Sequence, residues 1–542
     1  MRKYLLFVTL FLFGGLVQAQ KKETSPKPKL VVGLVIDQMR WDYLYRYQNL
    51  YSENGFKRLL RDGFSCENTL VPYLPTYTAP GHTCVYTGSV PAIHGIVGND
   101  WYDARIGGNM YCSDDSSVNT LGSPSKQGKM SPRNMLTTTI GDELRLSTNF
   151  RSKVIGVALK DRGAILPAGH AANAAYWFDD SVGQWISSTY YFKQLPEWVV
   201  QYNNKHYVDK AMKQDWNTLL PIDKYTNSTA DNKVYEGNLP EENQPVFPHR
   251  LSQITKEKYS AFKYTPAASS YTFDMAKAIV KNEKMGGGEF TDLLAVSISS
   301  TDYMGHTFGP NSIEAEDTYL RLDKDIADFL NYLDATVGKG NYLFFLTADH
   351  AAAHVPGFLT ENNLPGGTFN TSALSKELAK RLKEVTGLDN AMIKIQNNQV
   401  YLNEKSIKAA GKNMTEVEQE VVDFLIDQPL IEFAFPTKRI ESQTIPAVIK
   451  NMLTNGYNAK RSGQVGYILT PGYIAMGSTG TTHGAWNPYD SHIPLVWYGT
   501  GIKPGKTNRE TYMTDIAPTI AGLLQIQMPS GNVGKVIEEV KK

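Results

Sequence analysis

Four apolar runs, each ending on polar residues, constrain the fold of this chain more than any other feature. Residues 30–36 are continuously apolar, β-branched in their second half, and run into Asp37. Residues 153–159 run into Lys160-Asp161-Arg162, 292–299 into Ser300-Thr301-Asp302, and 342–347 into Ala348-Asp349-His350. Uninterrupted apolar runs of this length are the pattern of strands buried on both faces. Between the last two, from about 314 to 333, Tyr319, Leu322, Ile326, Phe329, Leu330 and Leu333 share one helical face. A strand-helix-strand unit predicts a right-handed crossover and a parallel sheet. A second helix is expected over about 271–284, closed by Gly286-Gly287-Gly288. The expected fold class is α/β, a mostly parallel central sheet flanked by helices.

Two regions depart from this pattern. Residues from about 165 to 265 are rich in Trp, Tyr, Asn and Pro, and residues from about 356 to 470 mix short strands and helices. Both read as insertions into one large domain spanning 20–542. The clustered aromatics Trp177, Trp185, Tyr190, Tyr191 and Trp198 are expected to pack within the first insertion. Residues 1–19 read as a signal peptide: Arg2 and Lys3, an apolar stretch over 4–16, then Val17-Gln18-Ala19 as a small-x-small cleavage site. The expected location is outside the inner membrane, in the periplasm. No later segment is long and apolar enough to span a bilayer, so no membrane contact is expected of the mature form. Export permits a disulfide, and the odd count of Cys66, Cys84 and Cys112 leaves at least one unpaired within the chain. The formal net charge is +1, so no global field recruits nucleic acid or anionic membrane. Nothing in the pattern sets an oligomeric state.

In open α/β sheets, ligands bind beyond the carboxyl ends of the strands. Asp37, Asp302, Asp349 and His350 all follow such ends. A lone Asp there is more often a helix cap; three together, with adjacent His, point to a site. Asp302 and His306 are four apart and share one face of a helical turn. His483 lies in the Gly-rich stretch Thr481-Thr482-His483-Gly484. Three carboxylates and three imidazoles suit zinc, with three protein ligands and an open position at each of two ions. Magnesium would favour more carboxylates and water. Thr78 precedes Pro80 by two residues, which suits a helix start with Thr78 at the N-cap, where backbone N–H groups favour an anion. A metal on its oxygen would make that hydroxyl nucleophilic. Lys160 and Arg162 are two apart and would point the same way in an extended chain. By themselves they read as two solvated charges at a strand end; to a phosphate they would offer a point charge and a planar fork.

Val35-Ile36-Asp37, Thr78-Ala79-Pro80-Gly81-His82, Asn99-Asp100-Trp101-Tyr102-Asp103, Thr301-Asp302-x-x-Gly305-His306, Ala348-Asp349-His350 and Thr482-His483-Gly484 occur in that order. The ordered set, with Thr514-Asp515-Ile516-Ala517-Pro518-Thr519 near the end, resembles the alkaline phosphatase superfamily. Within it the mature chain looks like the bacterial phosphate-irrepressible (PafA-type) alkaline phosphatases, kin of the nucleotide pyrophosphatase/phosphodiesterases. The resemblance implies one zinc held by Asp302, His306 and His483, and another held by Asp37, Asp349 and His350 and touching Thr78. It implies that Asn99 bonds a phosphoryl oxygen and that Lys160 and Arg162 are the cationic pair of the monoesterase branch. The expected activity is hydrolysis of small phosphate monoesters through a phosphothreonine. His82 is expected to shape the helix start, His354 to stay off the metal, and His94 and His170 to be loop or core residues. Two rivals remain. A phosphodiesterase or nucleotide pyrophosphatase would share the core but leave Lys160 and Arg162 without a purpose. A non-catalytic zinc-binding envelope protein would need no hydroxyl beside the metals. A sulfatase would need Cys or Ser at the position of Thr78.

Overall fold

The computed structural model describes residues 27–541. The leader reading over 1–19 lies outside the described residues. Among the described residues the nine main strands are β1 (Leu30–Ile36), β2 (Phe64–Leu70), β3 (Val154–Ala158), β4 (Ala174–Asp179), β5 (Gln184–Ser188), β6 (Asp292–Ile298), β7 (Tyr342–Thr347), β8 (Leu495–Gly499) and β9 (Gly505–Tyr512), of which β1, β3, β6 and β7 are the four expected apolar runs. They belong to one central sheet ordered β2-β8-β7-β1-β6-β3-β4-β5, with β9 paired to β2 and the short strands His492–Ile493 and Thr120–Leu121 at its ends. From β7 to β4 every pairing is parallel. Every residue of β1, β3, β4, β6 and β7 is buried, as runs without polar alternation require. The edge beyond β7 turns antiparallel through β8 and β2.

Five helices matter for the site: α1 (Thr78–Thr87), α2 (Asp161–Ala168), α3 (Pro266–Asn282), α4 (Ser300–Phe308) and α5 (Ile313–Leu333). Helix α5 buries Tyr319, Leu322, Ile326, Phe329, Leu330 and Leu333, and Ser312 caps it by accepting from the Ala315 N–H at 3.1 Å. Helix α3 starts five residues before the expected 271, because Pro266 suits the first helical turn.

The first irregular region starts later than 165. Strands β4 and β5 fall inside that range yet extend the central sheet, and Trp177 and Trp185 are fully buried there. The run Ala-Ala-Tyr-Trp-Phe-Asp is a buried strand whose large rings made it look unlike its aliphatic neighbours. Residues beyond Ser188 carry the loops and short helices. Residues 371–469 build a four-stranded sheet (Met392–Gln396, Gln399–Leu402, Val465–Leu469, Ile431–Pro436). Leu378, Leu382, Val400, Val421, Leu425 and Val465 form its own apolar cluster. Cys66, Cys84 and Cys112 are buried and unpaired.

Candidate metal centre and nucleophile

Strands β6, β1 and β7 are adjacent, so their carboxyl ends bring Asp302, Asp37 and Asp349 together. Neighbouring strands lie about 4.8 Å apart, a spacing that carboxylates can bridge around a cation. Asp37 follows β1 directly. Asp302 and His306 sit one turn apart on α4, with His306 Nε2 3.2 Å from Asp302 Oδ1. His483 arrives on a loop, its Nε2 3.7 Å from the same oxygen. His350 Nε2 lies 3.5 Å from Asp37 Oδ1 and 3.5 Å from Asp349 Oδ2. Thr78 Oγ1 is 3.4 Å from that same nitrogen.

All three imidazoles are anchored alike. His306 Nδ1 donates to Thr481 O at 2.8 Å, His350 Nδ1 to Ala351 O at 3.0 Å, and His483 Nδ1 to Thr76 O at 2.6 Å. A backbone carbonyl at Nδ1 fixes each ring so that Nε2 is the atom turned to the site, the one a metal would take. Asp37 Oδ1 and Asp349 Oδ2 are buried and have no hydrogen-bond donor among the described residues. Unpaired buried carboxylate oxygens are costly, and a cation answers both. The donor set therefore fits a divalent metal.

Ligand atoms within 4.8 Å of one another form two sets among the described residues: Asp302, His306 and His483; and Asp37, Asp302 and His350. In the second, Asp302 stands where the resemblance places Asp349. The cause is local. Asp349 Oδ1 accepts from the backbone N–H of Gln38 at 3.3 Å and of His350 at 3.1 Å, and its Oδ2 faces His82 Nδ1 at 3.1 Å. Meanwhile Lys160 Nζ donates to Asp37 Oδ2 at 2.7 Å and to Asp302 Oδ2 at 2.5 Å, drawing those two together. Burial pushes the Asp37 carboxyl up, and neighbouring Asp302 and Asp349 add to it. Burial also opposes ionisation of Asp302, but His306 and Lys160 outweigh it and hold that carboxyl well below the usual range. Burial, with His350 and His306 close by, keeps His483 neutral far below the ordinary imidazole range, as a metal ligand must be.

Thr78 is the first residue of α1, one position inside the N-cap, which Tyr77 occupies. Asn99 Oδ1 accepts from the Ala79 N–H at 2.9 Å, so Asn99 caps that turn from outside. His82 Nδ1 donates to Thr78 O at 3.0 Å and His82 Nε2 meets Ser297 Oγ at 2.8 Å. The ring thus ties the turn that carries Thr78 to β6 and lies beside Asp349 Oδ2 with its Nδ1–H directed at Thr78 O, a wider role than shaping the helix start. His354 pairs with Asn311 Oδ1 at 2.7 Å and belongs to neither ligand group. His94 is fully buried beside Cys84.

Lys160 and Arg162 do not lie side by side in an extended chain. Helix α2 starts at Asp161, and positions two apart on a helix face apart. Lys160 turns to the carboxylates, whereas Arg162 Nη1 donates to Tyr111 Oη at 3.1 Å, and Tyr111 Oη donates to Asp161 Oδ1 at 2.6 Å. Both still line one cleft, of about 330 Å³, with Tyr111, Trp177, Lys263 and Tyr303. Sequence reasoning missed Tyr111, Tyr303 and Lys263. Lys160 Nζ and Lys263 Nζ lie 5.1 and 5.0 Å from the Tyr303 ring, and adjacency to Asp302 was its only signal.

The pattern of type I phosphodiesterase / nucleotide pyrophosphatase matches residues 31–492. Alkaline phosphatase PhoV of Synechococcus elongatus is 52% identical, with 100% of each chain covered. A Myroides odoratus protein named a calcium-transporting ATPase is also 52% identical, with 95% of each chain covered. Alkaline phosphatase PafA of Elizabethkingia meningoseptica is 49% identical, covering 99% of each. The crystal structure of wild-type PafA superposes with a TM-score of 0.94 at 50% identity, over 95% of this chain and 99% of that one. Among the described residues no helix is long and apolar enough to cross a membrane. With the acid-bearing strand ends, the anchored imidazoles and these likenesses together, the chain belongs to the type I phosphodiesterase / nucleotide pyrophosphatase family of the alkaline phosphatase superfamily.

Proposed function

We propose that this protein is a two-zinc alkaline phosphatase that hydrolyses small phosphate monoesters through a phosphorylated Thr78. The observation that carries it is the convergence of three Nδ1-anchored imidazoles and two donorless carboxylate oxygens beside the Thr78 hydroxyl. Asp302, His306 and His483 would hold one zinc, and Asp37, Asp349 and His350 the other. When bound, zinc supplies Lewis acidity that activates a hydroxyl and takes charge from a leaving oxygen. The PhoV and PafA names point to the same activity for this chain.

The chain's own groups do the rest. Thr78 Oγ1 attacks phosphorus, the bond to the leaving alcohol breaks, and a phosphothreonine forms. Water then hydrolyses it, releasing inorganic phosphate and restoring Thr78. Asn99, held against Ala79 through its Oδ1, bonds a phosphoryl oxygen through its amide N–H. With Asp37 and Asp302 engaged as ligands of the two metals, the Lys160 ammonium that they now hold would be released to meet the phosphoryl oxygens. Arg162 presents its fork from the same cleft. Fixed donors aimed at developing charge are the main source of rate in phosphoryl transfer. A monoester dianion carries one more charged oxygen than a diester, so this pair favours the monoester.

Steady-state kinetics on an aryl phosphate and its methyl diester test the reading. Thr78→Ala should abolish turnover of both while zinc binding persists. Arg162→Ala should lower kcat/KM for the monoester by tenfold or more and leave the diester nearly unchanged, since a charge-assisted hydrogen bond contributes about 1.5–3 kcal/mol. Full activity of Thr78→Ala would overturn the nucleophile assignment. An equal loss on both substrates would remove the case for monoester preference. Two bound zinc ions without hydrolysis would favour a binding protein.

A further inference from the structure

Gln38 follows Asp37 directly, is buried, and has φ of +65°. That left-handed conformation crowds Cβ against the carbonyl and is ordinarily left to Gly or Asn. What the position retains in exchange is a side chain. Gln38 Nε2 donates to Asp302 Oδ1 at 2.7 Å, and the Gln38 backbone N–H donates to Asp349 Oδ1 at 3.3 Å. Asp302 Oδ1 is the oxygen that both His306 Nε2 and His483 Nε2 face. Asp349, held through Oδ1, is left with Oδ2 unpaired. One residue thus orients a carboxylate from each side of β1. Its carboxamide also rests on α4: a Cβ built on Gly305 would lie 2.0 Å from Gln38 Oε1, and the other near atoms are the rest of that amide. Gly305 has no left-handed φ, so the backbone there does not require glycine. The space does.

We infer that Gln38 is a positioning residue for the metal held by Asp302, His306 and His483, and that Gly305 is glycine to admit its carboxamide. This rests on the two-metal reading above. Hydrogen bonds to a ligating carboxylate fix its orientation, and losing one weakens metal affinity about 10–100-fold. Gln38→Gly separates the side chain from the backbone. It suits the positive φ, keeps the N–H to Asp349, and deletes only the bond to Asp302.

The test is zinc titration of chelator-stripped protein against a chromophoric competitor, with circular dichroism of each metal-free variant as a check on folding. Gln38→Gly should weaken one of two zinc-binding steps about 10–100-fold and leave the other step and the fold unchanged. Gly305→Ala should weaken the same step, because its methyl displaces the amide. In the Gln38→Gly background, Gly305→Ala should cost nothing more, since its obstacle is gone. Wild-type affinity in Gln38→Gly, or an equal loss from Gly305→Ala in both backgrounds, overturns the inference. A wild-type protein that takes up no zinc overturns the metal reading itself.

Discussion

Replacing Lys160 with Ala should destabilise the metal-free protein strongly and the zinc-loaded protein far less. Lys160 Nζ is almost fully buried and donates to two carboxylates, Asp37 at 2.7 Å and Asp302 at 2.5 Å. Both acids are buried, with Asp349 close enough to raise the Asp37 carboxyl further. Removing the cation from such a cluster leaves charge without compensation, which costs about 3–5 kcal/mol. Truncating the stem adds a smaller packing loss. Zinc supplies the missing positive charge, so part of this deficit should vanish on loading. Recovery of about 3 kcal/mol corresponds to roughly a hundredfold gain in the overall zinc binding constant, at 1.4 kcal/mol per tenfold. The assay is urea unfolding of chelator-treated and zinc-loaded protein, wild type and Lys160→Ala, paired with competitive zinc titration. A metal-free variant as stable as metal-free wild type would refute the reasoning, and so would a deficit that zinc leaves undiminished.

Other perturbations probe packing and pH. Gly33 lies in the middle of β1, where an added Cβ would fall 2.3 Å from Tyr86 Oη and 2.4 Å from Phe345 Cζ. Gly33→Ala should cost about 1–3 kcal/mol by overpacking, and because Tyr86 belongs to α1 it should also lower kcat, as unfolding curves and kinetics will show. Glu236 is buried near Glu314, and burial first, then that neighbouring charge, pushes its carboxyl up to about 9. Between the unfolded value near 4.5 and 9, the native state holds a proton that the unfolded chain releases, so stability falls as pH rises through that window. Glu236→Gln should therefore be more stable relative to wild type at pH 8.5 than at pH 5.5. A pH-independent difference between the two proteins would show that Glu236 titrates normally.

Much of the fold was legible because burial on both faces leaves a plain signal. Strands β1, β6 and β7 are apolar over nearly their whole length, and their boundaries came within a residue of the expected ones. Strand β4 escaped notice because Tyr176, Trp177 and Phe178 resemble an aromatic loop in composition. Strands β2, β8 and β9 were missed as well. Strand β2 carries Ser65, Glu67 and Asn68, and β9 is largely exposed, so neither offers an unbroken apolar run.

The chemistry of the centre divides along the same line. Sequence alone determined which residue types end the strands, that Asp302 and His306 share a helical face, and that a hydroxyl precedes a helix-starting proline. These are local properties, set by spacing of a few residues. Only the tertiary structure decided that β6, β1 and β7 are neighbours, which joins acids some 310 residues apart, as the Gln38–Asp349 contact illustrates. It also turned Lys160 and Arg162 in different directions, because α2 begins between them. And it gave Gln38 a left-handed backbone and two carboxylates to hold. Side-chain orientation at a strand end depends on which elements pack around it, and that information is spread over the whole chain.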